Sequence, residues 1–96
     1  MYVLVVYDVA TSQGNGQKRL SQVAKECEKY GQRVQNSVFE CKLDPAQLKI
    51  LEYNIEKIID SEFDNIRIYN LGKHWAKRID NIGRTTSYNP DDPFIL

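Results

Sequence analysis

Several residue types and patterns that mark common protein classes are scarce or absent in this chain. It contains two cysteines and one histidine, with no CxxC pair, which excludes a zinc cluster of the usual Cys/His spacing. Neither a phosphate-binding loop nor a dinucleotide-binding glycine pattern occurs. No apolar run approaches the roughly 18 residues of a membrane-spanning helix, and the N-terminus lacks a signal-peptide pattern. We therefore expect a cytoplasmic protein that contacts no membrane.

An excess of one charge sign is also lacking, but the charges are sorted along the chain. Basic and acidic residues number 13 each, so the formal net charge is zero. Residues 17–42 carry six basic and three acidic side chains, residues 44–64 carry two and six, and residues 65–84 carry five and one. Such sorting can present a basic face on a neutral protein, or it can be ordinary solvated surface.

Apolar residues recur with helical spacing in some segments and with strand spacing in others. The patterns predict these elements in order: a strand at 2–9, a helix over 17–30, a hairpin within 32–43, a helix from 45 to about 60, and a strand at 65–71. Asp44 is expected to cap the second helix, and Gln35-Asn36 to form the hairpin turn. Gly31 is expected to end the first helix in the left-handed conformation, and 79–83 to form a short strand.

The order β-α-β-β-α-β is typical of the ferredoxin-like α+β fold, with two helices on one face of a four-stranded antiparallel sheet. The length allows a single domain, residues 1–96. Cys27 and Cys41 lie at apolar positions, so we expect them to be reduced core residues. Apolar residues on both faces of several strands, and the apolar end Phe94-Ile95-Leu96, indicate that a second copy covers the free face in a homodimer.

Asp8, at the end of the first strand, is the residue that most needs an explanation. A carboxylate on a buried strand costs free energy unless it meets water, a donor or a cation. It could cap the loop at Thr11-Ser12, or it could bind Mg²⁺, which typically uses one or two carboxylates plus waters. One carboxylate per chain is thin for metal-assisted hydrolysis, but a face-to-face dimer would bring two copies of Asp8 towards the symmetry axis.

Four segments together carry a family resemblance. They are Tyr7-Asp8-Val9, Lys18-Arg19-Leu20, Gly31 to Glu40, and Asn65 to Gly72. In these segments the chain resembles the CRISPR-associated Cas-two family, most of all the members that accompany type I-C systems. The resemblance implies a ferredoxin-like homodimer in which a C-terminal segment, about residues 73–96, adds an extra strand to the other protomer's sheet. It also implies a role beside the Cas-one integrase in spacer acquisition, with the dimer bound along double-stranded DNA.

The same resemblance implies a site. Asp8 from each chain would hold Mg²⁺, or Mn²⁺ in its place, and a water activated there would cleave a phosphodiester bond of DNA or RNA. The implied catalytic residues are Asp8, Tyr7, Arg33, Ser37 and Phe39, and the implied phosphate contacts are Lys18, Arg19, Arg33, Lys73, Lys77, Arg78 and Arg84. Lys18 departs from the arginine that the family favours. A catalytically silent DNA-binding adaptor and an unrelated ferredoxin-like regulator are the alternatives.

Overall fold

Two helices and four strands follow one another in the order that the sequence predicts. The computed structural model describes residues 1–12 and 14–84. Its elements are β1 (Tyr2–Asp8), α1 (Gly16–Glu28), β2 (Gly31–Gln35), β3 (Val38–Lys42), α2 (Pro45–Ile58), β4 (Asn65–Gly72) and a 3₁₀ helix (Trp75–Arg78). The predicted β-α-β-β-α-β order is therefore confirmed.

The four strands form one sheet in the order β2-β3-β1-β4, and every neighbouring pair is antiparallel. Alternate residues of the central strand β1 point towards the helices, because successive side chains of a strand lie on opposite faces. Val5 pairs with Phe39 on one side and with Ile68 on the other, and these side chains pack with those of α1 and α2 in one core. Two helices on one face of this sheet make the fold ferredoxin-like α+β, as predicted.

The opposite face of the sheet is only partly covered. Leu4 pairs with Tyr69 and Val6 pairs with Val38 on this face. The Tyr69 side chain is 45% exposed. Tyr2, at the other end of β1, is buried because the ring of Trp75 stacks on it, with centroids 4.4 Å apart and planes 16° apart. The 3₁₀ helix therefore covers one end of this face and leaves the apolar side chains of its centre accessible.

Helix α2 begins at the predicted residue. Asp44 Oδ1 accepts the backbone amide of Gln47 at 2.7 Å, and the Gln47 side chain accepts the amide of Asp44 at 2.9 Å. This reciprocal pair, with Pro45 in the first turn, is a capping box that satisfies two amides at the start of the helix. The helix ends at Ile58, about two residues earlier than its hydrophobic spacing predicts.

Three local predictions were wrong. The hairpin turn occupies Asn36 and Ser37, one residue later than predicted, because Gln35 pairs directly with Val38. Gly31 is the first residue of β2 and does not have a positive φ. A Cβ at Gly31 would overlap the backbone carbonyl oxygen of Glu40, so close strand approach explains this glycine. Residues 79–83 form no strand, and the preceding residues form the 3₁₀ helix.

The structure describes both cysteines, but it describes the C-terminal segment only in part. Cys27 and Cys41 are both free and fully buried, as predicted. The side-chain hydrogen bond with Cys41 is the main cause, and burial the second, of a Cys27 thiol pKa well above its usual range. The additional strand is predicted within residues 73–96, of which 73–84 are described and form no strand, and the apolar end at 94–96 lies outside the described residues. Pairing of residues 73–96 with another protomer stays a prediction.

Candidate functional site

Asp8 is the last residue of β1, and its side chain is exposed. Strand alternation puts it on the face that carries Leu4 and Val6, away from the helices, and it pairs with Asn65 of β4. Within residues 1–12 and 14–84, no hydrogen bond or ion pair involves the Asp8 carboxylate. The alternative in which Asp8 caps the following loop is thus not formed among these residues. The carboxylate is open to a ligand.

The carboxylate that anchors the loop after β1 belongs to Asp64, which sequence reasoning missed. The Tyr7 phenol donates to Asp64 Oδ2 at 2.6 Å, and the Ala10 amide donates to Oδ1 at 3.3 Å. Arg19 contacts both oxygens, with Nε 2.7 Å from Oδ2 and Nη2 3.2 Å from Oδ1. The amide of Asp60 adds a fifth donor at 3.1 Å. One buried carboxylate therefore ties together β1, α1 and the segment before β4.

The opposite charges of Arg19 and Asp64 compensate one another, and both side chains are largely or fully buried. The Asp64 side chain has no exposed surface and that of Arg19 is 11% exposed. Burial alone would raise the pKa of Asp64, but the hydrogen bonds from Arg19, Tyr7 and two backbone amides outweigh it and hold that pKa well below its usual range. Burial, and then the bond to Asp64, raises the pKa of the Tyr7 phenol. The stable form is a neutral phenol beside an ionised carboxylate.

A signal for part of this cluster was present in the sequence. Tyr7 continues the inward positions of Val3 and Val5, and a buried phenol needs a hydrogen-bond partner. Asp64 directly precedes β4, which pairs antiparallel with β1 so that Asp8 lies opposite Asn65. This register brings Asp64 beside the end of β1. The need for an acceptor was readable, but its identity depended on the strand pairing.

The other residues implied as catalytic lie in different surroundings. Tyr7 and Phe39 are buried in the core, with exposed fractions of 1% and 0%. Ser37 lies beside the end of β1, because its carbonyl oxygen accepts the Tyr7 amide at 2.9 Å. Arg33 pairs with Phe39 and holds its guanidinium 5.5 Å from that ring. Because Phe39 points towards the helices, Arg33 and Asp8 lie on opposite faces of the sheet within one protomer.

The residues implied as phosphate contacts are exposed, with one exception. The exposed ones are Lys18, Arg33, Lys73, Lys77, Arg78 and Arg84. Lys77 and Arg78 belong to the 3₁₀ helix that follows β4. Arg19 is mostly buried and binds Asp64 through two nitrogens. These exposed cations could place a phosphate backbone without reading its sequence.

Residues 1–12 and 14–84 contain no cluster of three or more His, Cys, Asp or Glu side chains that could hold an ion. Asp8 supplies one oxygen-donor group of the type that Mg²⁺ prefers. In the same described residues, neither helix is long and apolar enough to cross a membrane.

The fold and the open acid at the end of its first strand define a small ferredoxin-like α+β protein with one candidate ligand carboxylate per protomer. Residues 1–79 match the family model described as CRISPR associated protein Cas2. The chain therefore belongs to the Cas2 family, which confirms the resemblance of its sequence motifs.

Relatives of this family match the chain in sequence and in structure over most or all of its length. The chain is 50% identical over 96 residues, all of both chains, to a CRISPR-associated endonuclease Cas2 of Halalkalibacterium halodurans. The crystal structure of Streptococcus pyogenes Cas2 at pH 6.5 matches with a TM-score of 0.78 and 52% identity, covering 86% of this chain and 100% of that one. A chain of a partial Cas6-RT-Cas1–Cas2 complex matches with a TM-score of 0.67 and 35% identity, covering 99% and 98%.

Proposed function

We propose that this chain acts in CRISPR spacer acquisition as a nucleic-acid-binding homodimer beside the Cas1 integrase, and that paired Asp8 side chains hold Mg²⁺ for phosphodiester hydrolysis. The observation that carries the proposal is the open Asp8 carboxylate on the partly covered face of the sheet. The nuclease name of the Halalkalibacterium halodurans relative and the Cas1–Cas2 assembly of the structural neighbour support it.

The homodimer is proposed to form through that face. Leu4, Val6 and Val38 are partly buried there and Tyr69 is half exposed, although no part of the described chain packs over their centre. A small domain gains stability by burying such a surface against a copy of itself. Because Asp8 lies on the same face as Leu4 and Val6, twofold packing of that face would place both copies of Asp8 in one interface, and the proposal requires them to meet near the dimer axis.

In the proposed mechanism, the two Asp8 carboxylates hold the ion and the exposed cations hold the substrate. Mg²⁺ held there would supply positive charge for the scissile phosphate and lower the pKa of a water. Lys18, Lys77 and Arg78 are exposed and would contact backbone phosphates. Tyr7 is buried and bonded to Asp64, so it would support the strand end without touching the substrate.

A structural DNA-binding adaptor without cleavage activity is the second candidate. It is favoured by the single acid that each protomer offers at this place, since metal-assisted hydrolysis usually draws on more than one carboxylate. The exposed basic residues would serve an adaptor as well as they serve a nuclease. The two candidates share the homodimer, the Cas1 partner and duplex DNA, and they differ in the chemistry at Asp8.

The decisive experiment compares the unchanged protein with Asp8→Asn on duplex DNA and on single-stranded RNA, with Mg²⁺, with Mn²⁺ and with chelator. Asp80→Asn is the matched control, because Asp80 is an exposed aspartate outside the candidate site. Metal-dependent cleavage that Asp8→Asn abolishes and Asp80→Asn preserves would support the nuclease. Retained binding to DNA and Cas1 without any cleavage would support the adaptor. Cleavage that persists in Asp8→Asn would come from another protein and would refute the nuclease proposal.

A further inference from the structure

The chain on both sides of Asp8 is fastened to one buried group. Tyr7, the residue before it, donates to Asp64 Oδ2 at 2.6 Å, and Ala10, two residues after it, donates to Oδ1 at 3.3 Å. The cross-strand partner of Asp8 is Asn65, which follows Asp64 directly in the chain. Asp64 therefore binds the chain on both sides of Asp8, and its neighbour Asn65 pairs with Asp8 across the strands.

Arg19 and the start of α1 close the same loop from the other end. The Arg19 guanidinium holds both oxygens of Asp64, and the Arg19 amide donates to the Asn15 carbonyl at 2.8 Å. Gly16 is buried against the loop, and a Cβ there would overlap the Ala10 carbonyl oxygen. The loop between β1 and α1 is thus held at Ala10 by both a hydrogen bond and close packing.

We propose that Asp64 is a positioning residue for Asp8, setting the direction of its carboxylate through Tyr7, the Ala10 amide and Arg19. The inference rests on the proposed function in that Asp8 is the ligand, but Asp64 itself touches neither ion nor substrate. Residues that orient a metal ligand commonly change metal affinity by 10- to 100-fold when they are replaced. In this reading the ion pair of Arg19 serves the geometry of Asp8 and not the phosphate backbone.

Replacement of Asp64 by asparagine tests the geometry with little change of volume. The side-chain amide has one acceptor oxygen, so it cannot accept the donors that face Oδ1 and those that face Oδ2 together. Arg19→Lys is the second variant, since lysine keeps the charge but cannot contact both oxygens in a fork. Glu40→Gln is the matched control, because Glu40 Oε1 accepts the Tyr2 phenol at 2.6 Å at the opposite end of β1.

The measurements are calorimetric titration of the full-length homodimer with Mn²⁺ and hydrogen exchange of the Ala10 amide, with Val5 in the middle of β1 as reference. We expect Mn²⁺ binding to weaken about tenfold or more in Asp64→Asn, less in Arg19→Lys, and not at all in Glu40→Gln. Exchange at Ala10 should speed up about tenfold in Asp64→Asn while Val5 stays protected. A purely stabilising role would change the unfolding midpoint without changing metal affinity.

The outcomes separate this inference from the proposed function. Unchanged Mn²⁺ affinity and unchanged Ala10 exchange in Asp64→Asn would overturn the positioning role and leave a metal site at Asp8 standing. If the unchanged protein binds no Mn²⁺, the metal proposal fails, and exchange at Ala10 alone decides whether Asp64 holds the loop. If Asp64→Asn does not fold, Arg19→Lys decides, because equal affinity and exchange in that variant would contradict the inference.

Discussion

The Tyr7 phenol donates a 2.6 Å hydrogen bond to Asp64, a residue 57 positions further along the chain. This contact joins the end of the central strand to the segment that leads into its neighbour β4. Every buried side-chain nitrogen and oxygen among the described residues has a hydrogen-bond partner, so the cluster around this contact leaves no buried polar side-chain atom unsatisfied. A network of this kind favours one arrangement of the strand end, because each partial disruption leaves a buried polar group unsatisfied.

Tyr7→Phe is expected to destabilise the fold. The ring still fills its core position, but a hydrogen bond to an ionised acceptor is lost, which costs about 1.5 to 3 kcal/mol of unfolding free energy. Urea denaturation measures this change. Tyr53→Phe is the control, because the Tyr53 side chain is 61% exposed on α2 and its loss of a hydroxyl should change stability by less than about 0.5 kcal/mol. Equal effects of the two variants would contradict a stabilising Tyr7–Asp64 bond.

Acid is expected to remove the stability that Asp64 contributes. Burial opposes ionisation of Asp64, but the hydrogen bonds from Arg19 and Tyr7 outweigh it, so the pKa of Asp64 is lower in the folded than in the unfolded chain. The unfolded chain then binds more protons, and the contribution is complete above an unfolded pKa of about 3.9 and is lost as the pH falls below it.

The comparison of the unchanged protein with Asp64→Asn measures this loss. Unfolding free energies from urea denaturation between about pH 6 and pH 3 should fall more steeply for the unchanged protein, because the variant has no carboxylate to protonate at this position. A smaller slope remains in both, since the Lys29 bond, against the effect of burial, also lowers the pKa of Glu26. Parallel pH profiles would show that Asp64 does not contribute through its charge.

The fold followed from the sequence because its signals are local. The inward residues Val3, Val5 and Tyr7 alternate as a strand should, and Asp44 with Pro45 marks a helix start with little ambiguity. The hairpin turn was displaced by one residue because Gln35-Asn36 lacks the glycine that would fix its place. The local sequence pattern thus predicted which helices and strands form more accurately than it predicted where each one ends.

The site followed less completely because its contacts are long-range. Asp8 stood out as an acid at the end of an apolar strand, whereas Asp64 looked like one acid among six in an acidic segment. Only the pairing of β1 with β4 distinguishes it. The ion pair of Arg19 with Asp64 was equally hidden, since a basic residue after a loop gives no indication of an acid that binds it from the far end of the chain.

Gly31→Ala is expected to disrupt the edge of the sheet. Its Cβ would overlap the carbonyl of Glu40 and crowd the backbone of Cys41, and backbone cannot move aside as the end of a flexible side chain can. We expect a loss of about 2 kcal/mol or more in unfolding free energy, at the upper end for added volume in a packed place. Faster hydrogen exchange in β2 and β3, with β4 unchanged, would locate the damage. Unchanged stability would mean that the strands can separate at no cost.

Tyr69→Lys is expected to weaken the proposed homodimer. Tyr69 is 45% exposed on the face that carries Leu4 and Val6, and a lysine there would lose an aromatic contact and bring a charge into the interface. Sedimentation equilibrium should show a dimer dissociation constant raised about tenfold or more. Tyr53→Lys, the same change at an exposed tyrosine of α2, should leave the constant unchanged. If both variants associate equally well, the dimer forms through another surface.

The joint replacement of Lys77 and Arg78 by alanine is expected to weaken duplex binding in a salt-dependent way. Both side chains are exposed in the 3₁₀ helix, where they could release counterions from backbone phosphates. Each lost contact should reduce the slope of log affinity against log salt by about 0.9, so the slope should fall by about 1.8 for any duplex sequence. Replacement of Lys49 and Lys57 removes the same number of cations from helix α2, within the acidic segment 44–64, and should leave the slope unchanged. Fluorescence anisotropy at several salt concentrations measures both slopes, and equal slopes would place the DNA on a different surface.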